Sequence, residues 1–447
     1  MTATPRRPLP AEPPAGAPPR CPAGRSPAPL YGPGLDGDNL PELYARLRAR
    51  YGPVAPVSLA PGVYAWLVMG YREVLRLARD ERNFSHDPRL WNLPREGRVP
   101  SDSPVLAFLG WRPALMFADG RAHRRLRSAV ADTLTGIDGR ELVRMVRNMA
   151  GRLVDSFGEA REVDLVPRYA HRLPALVLAR LLGTDDRTGR QLAEAVTGAA
   201  AANADSGNAA RRMERVLLSL IGHRRRRPGP DAVSRLLAHP AALTEEEVLH
   251  NLMVTAVAGY QPTKNWLATS VRTLLTDHSL RSSLDSGLLT LDDVLETVLW
   301  RSPPTQNLPA RYATRDLCLG GQEVRAGDML VLALAAANGD PEAVPPRDVP
   351  AAGNRGHVSF GAGPHTCPAR EQARLIVRTA VEVLWHRRPG MELAVPEEDL
   401  VWWTSPWTKG LAALPVRFTA PRTVAVPAPP TLPGPAAGAR TPPPPVP

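Results

Sequence analysis

Apolar residues recur every three or four positions along much of the chain, which is the spacing of helices with one buried face. The longest such pattern begins at the capping box Thr244-Glu245-Glu246-Glu247 and runs to about Asp277. Its apolar residues cover more than one side, so we expect this helix to lie in the middle of the fold. Shorter helices are predicted at residues 40–51, 71–80, 139–157 and 290–300.

Shorter apolar stretches between Gly and Pro residues predict β-strands. Residues 54–59 and 64–69 flank Ala60-Pro61-Gly62, which is the signature of a hairpin. A second hairpin is predicted at Leu317–Val324, and residues 393–418 alternate apolar and polar side chains. Together, these patterns predict a mainly α-helical protein with small β-sheets.

Both ends of the sequence lack such patterns. Residues 1–33 and 421–447 contain eleven prolines each. Segments of this composition bury too little apolar surface to offset the entropy lost on ordering. We therefore expect disordered tails at residues 1–35 and 420–447 and a folded body at 36–419.

The composition argues against nucleic acid and membrane partners. The net charge of +11 comes almost entirely from arginine, since Lys264 and Lys409 are the only lysines. Abundant Ala, Gly, Pro and Arg suggest a GC-rich coding sequence, and no recognised nucleic-acid module accompanies the charge. Three cysteines are too few for a disulfide framework, and no apolar run is long enough to span a bilayer. These features predict a cytoplasmic protein.

One cysteine stands in a particular setting, the sequence HVSFGAGPHTCPA at His357–Ala369. Its glycines and proline predict a tight loop, after which Cys367 opens an amphipathic helix. The positive end of a helix favours a thiolate, and a thiolate is a ligand for soft metals. His365 can donate a hydrogen bond to an acidic group of whatever the cysteine holds.

This stretch resembles the cysteine loop of the cytochrome P450 superfamily, F-G-x-G-x-H-x-C-x-G. Only the last glycine differs, because Ala369 takes its place. The resemblance implies a single large domain with haem b between the long central helix and the cysteine helix, and Cys367 as axial iron ligand. A structural cysteine in a Gly-rich turn is the alternative, and it requires five positions to coincide. The matching positions are Phe360, Gly361, Gly363, His365 and Cys367.

Basic residues upstream of the loop suit the carboxylates of a haem. His123 and Arg127 are four apart and share a helix face, which without the cysteine loop would be read as a solvated face. The resemblance implies that this pair binds one haem propionate. It also implies that Arg311, in an R-x-A strand, binds the other.

The centre of the long helix departs from the superfamily's pattern A-G-x-(D/E)-T-T. Ala258 and Gly259 match, and the resemblance implies that their small size lets haem approach. Gln261 replaces the acid and Pro262 the first threonine, so the usual proton relay is absent. Gln261 and Thr263 remain as candidate catalytic residues, with simple packing as the alternative.

The superfamily's E-x-x-R motif is also altered. Glu296 and Arg301 are five apart and face different sides of a helix. Alignment on Pro303-Pro304 puts Thr297 and Trp300 at the motif positions, so we expect the ion pair of this motif to be missing. A small actinobacterial branch of the superfamily shares the replacement E-x-x-x-W, and this chain resembles it.

The resemblance implies a haem-thiolate monooxygenase that hydroxylates, or similarly oxidises, a small apolar or amphipathic molecule. Such an enzyme uses O2 and electrons from a ferredoxin and ferredoxin reductase. The alternative is a haem protein without turnover that works as a ligand-binding or signalling component. Gln261 and Pro262 favour that alternative.

Overall fold

Helices form most of the fold. The structure is a computed structural model that describes residues 27–31, 39–99, 109–200, 206–342, 352–403 and 405–418. Its helices are α1 (Leu40–Tyr51), α2 (Tyr71–Arg79), α3 (Asn92–Arg95), α4 (Gly120–Thr135), α5 (Gly139–Asp155), α6 (Arg172–Leu181), α7 (Asp186–Ala200), α8 (Ser206–Arg226), α9 (Ala232–Leu237), α10 (Glu245–Thr276), α11 (His278–Asp285), α12 (Leu291–Arg301), α13 (Leu334–Asn338) and α14 (Arg370–Arg387). The central helix and the four shorter helices predicted from periodicity are present within two residues of their predicted bounds, and the helix predicted to open at Cys367 begins three residues later, at Arg370.

The strands form small sheets. They are β1 (Ala28–Pro29), β2 (Val54–Ala60), β3 (Val63–Val68), β4 (Phe84–Ser85), β5 (Glu162–Asp164), β6 (Leu308–Ala313), β7 (Leu317–Leu319), β8 (Gln322–Val324), β9 (Met329–Leu332), β10 (Met391–Leu393) and β11 (Pro415–Phe418). Within the described residues, one sheet has the order β1-β2-β3-β9-β6-β4, a second β10-β11-β5, and β7 pairs with β8. Both predicted hairpins are therefore confirmed.

The first strand corrects the predicted start of the folded body. Ala28 and Pro29 pair in parallel with β2, and Leu30 beside them is fully buried. This strand lies inside residues 1–35, so the prediction of disorder is wrong for that short part. Residues 1–26, 32–35 and 419–447 lie outside the described residues.

The central helix α10 is held in place at its start and along its second half. Thr244 and Glu247 form the predicted capping box, with the Glu247 N–H donating to Thr244 Oγ1. Further along, apolar residues such as Trp266, Leu267 and Leu274 are buried. They share one core with apolar residues of α5, α12 and α14. The helix that follows Cys367 is therefore packed into the same core as the central helix.

Candidate active site

The loop before Cys367 has the tight geometry that its glycines predict. Gly361 and Gly363 have φ of 71° and 68°, which is the left-handed region. A Cβ at Gly363 would lie 2.1 Å from the carbonyl oxygen of Ala78, so α2 also excludes a side chain there. The Cys367 N–H donates to the Phe360 carbonyl oxygen at 2.8 Å and closes the loop. Ala369 has a negative φ, so this position does not require the glycine of the usual pattern.

The Cys367 thiol is half-buried and lies three residues before the start of α14. Burial raises its pKa, while a hydrogen bond from the Ala369 backbone and the positive charge of Arg127 act in the opposite direction. Burial therefore opposes the effect that the helix N-terminus and the nearby arginines have on this thiol.

The basic residues predicted to bind propionates carry buried nitrogen atoms without partners. His123 and Arg311 are 1% and 4% exposed. Both ring nitrogens of His123, Nη1 of Arg127, Nε of Arg311 and Nε2 of His365 have no hydrogen-bond partner among the residues that the structure describes. Because such groups are costly to bury unpaired, they indicate a site for an anionic ligand.

Three imidazoles stack within this cluster. The His365 ring lies between those of His86 and His123, with centroid distances of 3.3 and 3.6 Å. Burial lowers the pKa of His86 and His365 strongly and that of His123 to about 4. All three rings are therefore neutral at pH 7, and the positive charge of the cluster comes from arginine.

His86 and Asp119 belong to this cluster and were missed by the sequence analysis. The His86 ring Nδ1 lies 2.8 Å from Asp119 Oδ1, and the Asp119 carboxylate also accepts from the His86 N–H. Asp119 stands at the N-cap of α4 but makes no capping hydrogen bond with its side chain. An N-cap aspartate could have been noted in the sequence, but its contact with His86 depends on the fold.

The middle of α10 presents an open face. Ala258 is exposed, although it lies halfway along a largely buried helix. Gln261 and Pro262, three and four residues later, are half-buried on the same side. Gly259 lies against α6, where a Cβ would stand 3.2 Å from Leu178 Cδ2. The small residue at 259 therefore serves close helix packing, whereas Ala258 faces open space.

Thr263 does not share this face. Its side chain is buried, and its hydroxyl donates to the Gly259 carbonyl oxygen at 2.6 Å. The geometry gives no support to the prediction that Thr263 delivers protons. Gln261 is the candidate catalytic residue that the structure brings to the open face.

Among the described residues, no arginine of α12 pairs with Glu296, as the altered motif predicts, but a different ion pair still joins α12 to the cysteine helix. Glu296, rather than Thr297, faces the cysteine loop, and its carboxylate is 4% exposed. Arg374 of α14 donates to it through Nε at 2.6 Å and Nη2 at 3.2 Å, and His357 Nε2 lies 2.8 Å from Oε2. Burial alone would raise the Glu296 pKa, but these hydrogen bonds and the charge of Arg374 outweigh it and lower the pKa to about 2.

Trp300 is the other residue of α12 that contacts this loop. Its Nε1–H donates to the Asn354 carbonyl oxygen at 2.9 Å, and its ring meets that of His357 edge to face at 5.7 Å. Glu296 and Trp300 are four apart and so share a helix face. Arg301 points to a different side of the helix from Glu296, as the spacing of five residues predicts. Its Nη1 donates to Asp277 at 3.2 Å.

The residues present fit a haem. A half-buried thiol lies near guanidinium and imidazole groups that lack partners, and two propionates are anionic acceptors of the kind these groups need. The open face at Ala258 leaves room beside the central helix. The donor set therefore suits a thiolate-ligated macrocycle with acidic side chains.

Comparison with known proteins agrees with this assignment, although no protein-family model matches the chain. The chain is 30% identical over 393 residues to 6-deoxyerythronolide B hydroxylase of Saccharopolyspora erythraea, covering 84% of this chain and 95% of that one. It is 32% identical over 391 residues to cytochrome P450 monooxygenase PikC of Streptomyces venezuelae, covering 84% and 90%. Its structure is similar to that of CYP154A1 from Streptomyces coelicolor A3(2), with a TM-score of 0.78, 29% identity and coverage of 88% and 100%.

The fold and the cysteine loop define a haem-thiolate protein. The chain belongs to the cytochrome P450 family, as the sequence predicts. It is a monooxygenase that binds haem b and uses O2, a substrate and redox partners. The relatives are named hydroxylases and monooxygenases, which gives no support to a haem protein without turnover. In the part of the chain that is described, no helix has the length and apolar character needed to cross a membrane.

Proposed function

We propose that Cys367 is the axial ligand of the haem iron and that His123, Arg127 and Arg311 bind the two propionates. The half-buried thiol beside buried basic nitrogens, which lack partners among the described residues, is the observation that carries this proposal. Phe360, Gly361 and His365 belong to the same site as parts of the cysteine loop. When bound, haem supplies the oxidising chemistry, which thiolate ligation promotes.

Arg127 has a second role at this site. Its positive charge lowers the pKa of Cys367 and so opposes the effect of burial. The guanidinium thereby favours the thiolate over the thiol while its unpaired Nη1 is available to a propionate. Substitution of Arg127 is expected to weaken both haem retention and thiolate ligation.

Gln261 is the candidate for proton delivery on the α10 side. Its amide can hydrogen-bond water beside the exposed Ala258, but it cannot ionise. Pro262 has no N–H, so the Ala258 carbonyl lacks its helical partner and can hold a water. Ala258 and Gly259 contribute small size at this point of the helix. Water held in this way is less firmly positioned than an acid and an alcohol, so turnover is slow and much reducing power is lost as hydrogen peroxide.

Electrons reach the site from a ferredoxin served by a ferredoxin reductase. Arg121 and Arg124 are exposed and lie next to the site in the sequence, since they flank His123. Exposed guanidinium groups of one sign favour a partner with an acidic surface. Arg125 is excluded from this surface patch because it pairs with Glu247.

The substrate is a small apolar or amphipathic organic molecule. The relatives include hydroxylases of 6-deoxyerythronolide B, vitamin D(3) and 2-hydroxy-5-methyl-1-naphthoate. These relatives share about 30% identity with this chain. A screen for ligands that change the spin state of the haem would identify the substrate.

Coupling of product to NAD(P)H consumption tests the proposal about Gln261. The assay uses ferredoxin, its reductase and a ligand found in the spin-state screen. We expect poor coupling in the wild type and partial recovery in the double variant Gln261→Glu with Pro262→Thr. Tight coupling in the wild type would contradict the proposed water-dependent route.

A further inference from the structure

The Glu296 carboxylate joins three separate parts of the fold. It lies on α12, and it accepts hydrogen bonds from His357 at the start of the cysteine loop and from Arg374 of the cysteine helix. All three side chains are at least 87% buried, since their exposures are 4%, 1% and 13%. Buried charged groups in such mutual contact hold their elements in one arrangement.

The contacts continue from this cluster into the cysteine loop at two points, and one of them leads to Cys367. His357 Nδ1 accepts the Ser359 N–H at 3.2 Å, so its Nε2 carries the proton that is donated to Glu296. The Arg374 guanidinium lies over the Phe360 ring, 4.9 Å from its centroid. Phe360 in turn accepts the Cys367 N–H through its carbonyl oxygen at 2.8 Å.

We infer that the Glu296–Arg374–His357 cluster positions the Cys367 loop in this chain and replaces the arginine that α12 lacks at Trp300. Arg374 is the central positioning residue, because it touches both the Glu296 carboxylate and the Phe360 ring. This inference rests on the proposed role of Cys367 as iron ligand.

The chain offers a matched control on the same helix. Arg378, one turn after Arg374, also pairs with a carboxylate of α12, Asp292, at 3.6 Å. This pair is half exposed, with 50% and 40% of the side chains accessible. Arg378→Gln therefore removes an arginine from the same pair of helices without changing a buried contact.

The test compares haem-loaded Arg374→Gln, Arg374→Lys and Arg378→Gln with the wild type. Two readouts are used: the fraction of the reduced carbon-monoxide complex with the red-shifted Soret band of thiolate ligation, and the rate of haem transfer to apomyoglobin. For Arg374→Gln we expect loss of most of the thiolate form and haem loss at least about tenfold faster. Arg374→Lys keeps the positive charge but lacks the two parallel N–H donors of a guanidinium. We therefore expect a thiolate fraction and a rate of haem loss between those of the wild type and Arg374→Gln. Arg378→Gln matches the wild type.

The outcomes separate this inference from the proposed function. Equal spectra and haem loss for Arg374→Gln and Arg378→Gln would overturn the positioning role while leaving Cys367 as ligand. A haem-loaded wild type without the thiolate band would instead overturn the assignment of Cys367. If Arg374→Gln does not fold, Arg374→Lys decides: an intermediate thiolate fraction supports the inference, and a wild-type fraction overturns it.

Discussion

Two buried polar clusters meet the cysteine loop, one at His357 near its start and one at His365 near its end. In the first, the carboxylate of Glu296 is matched by donors from His357 and Arg374. In the second, the nitrogens of His123, His365, Arg127 and Arg311 include buried atoms without partners among the described residues. The first cluster is satisfied by protein groups alone, whereas the second contains the nitrogens that we propose bind the haem propionates. If the proposal holds, the first cluster contributes mainly to the stability of the fold and the second mainly to haem binding.

We expect the largest effect when the Glu296 carboxylate is removed from the first cluster. Glu296→Ala leaves Arg374 and His357 buried without their acceptor, which costs about 3–5 kcal/mol of unfolding free energy. Urea unfolding of the haem-free and the haem-loaded protein should both show this loss. Asp292→Ala removes the half-exposed carboxylate of the same helix and should cost less than about 1 kcal/mol. Equal losses in the two variants would contradict the comparison.

Arg311→Met tests the second cluster, and we expect it to weaken haem binding without lowering the stability of the haem-free protein. Burial lowers the pKa of Arg311 to about 10, so the haem-free fold holds this charge at a cost in stability. We expect haem affinity to fall by about 2–3 kcal/mol, because a buried propionate loses its partner. The haem-free variant should be at least as stable as the wild type. If Arg311→Met lowered the unfolding free energy of the haem-free protein by as much as it lowered the free energy of haem binding, the distinction between the two clusters would be wrong.

The pH dependence of stability sharpens the comparison further. The Glu296 pKa is lowered from 4.5 to about 2, so its stabilising contribution is present above pH 4.5 and is lost as the pH falls toward 2. Its contribution to the free energy of unfolding is about 3 kcal/mol. The difference in unfolding free energy between the wild type and Glu296→Gln should be constant near pH 6 and shrink over this range. A difference that does not change with pH would show that the carboxylate is not held charged.

The smallest effect is expected at Trp300. Trp300→Phe removes the hydrogen bond to the Asn354 carbonyl oxygen but keeps an aromatic ring near His357. Loss of one such bond costs about 1 kcal/mol. Thermal unfolding should show a shift of a few degrees, with the thiolate band unchanged. A loss as large as that of Glu296→Ala would make Trp300 an equal member of the cluster.

Local signals in the sequence were enough to predict much of the fold. Periodicity gave the helices, the Thr244 capping box gave the start of α10, and the spacing of glycines around Phe360 gave the cysteine loop. These features depend on residues close together in the chain. Family and cofactor followed from the same loop, because its five matching positions are specific.

Other features depend on distant contacts and could not be predicted. Arg374 contacts Glu296, which is 78 residues away in the chain. Alignment on Pro303-Pro304 placed the motif's glutamate position one residue too late, at Thr297. His86 meets Asp119 across 33 residues. Thr263 fits the motif by position, yet helix geometry turns its hydroxyl to the Gly259 carbonyl. A sequence motif specifies residue types, but the direction in which each side chain points depends on the packing of the fold.

Ligation of haem by Cys367 is the central claim, and the spectrum of the reduced carbon-monoxide complex tests it most directly. We expect the haem-loaded wild type to show the red-shifted Soret band of a thiolate ligand, and Cys367→Ala to lose that band. Circular dichroism of the same samples establishes that the fold is intact. A folded, haem-loaded wild type with the Soret band of a neutral ligand would contradict the claim.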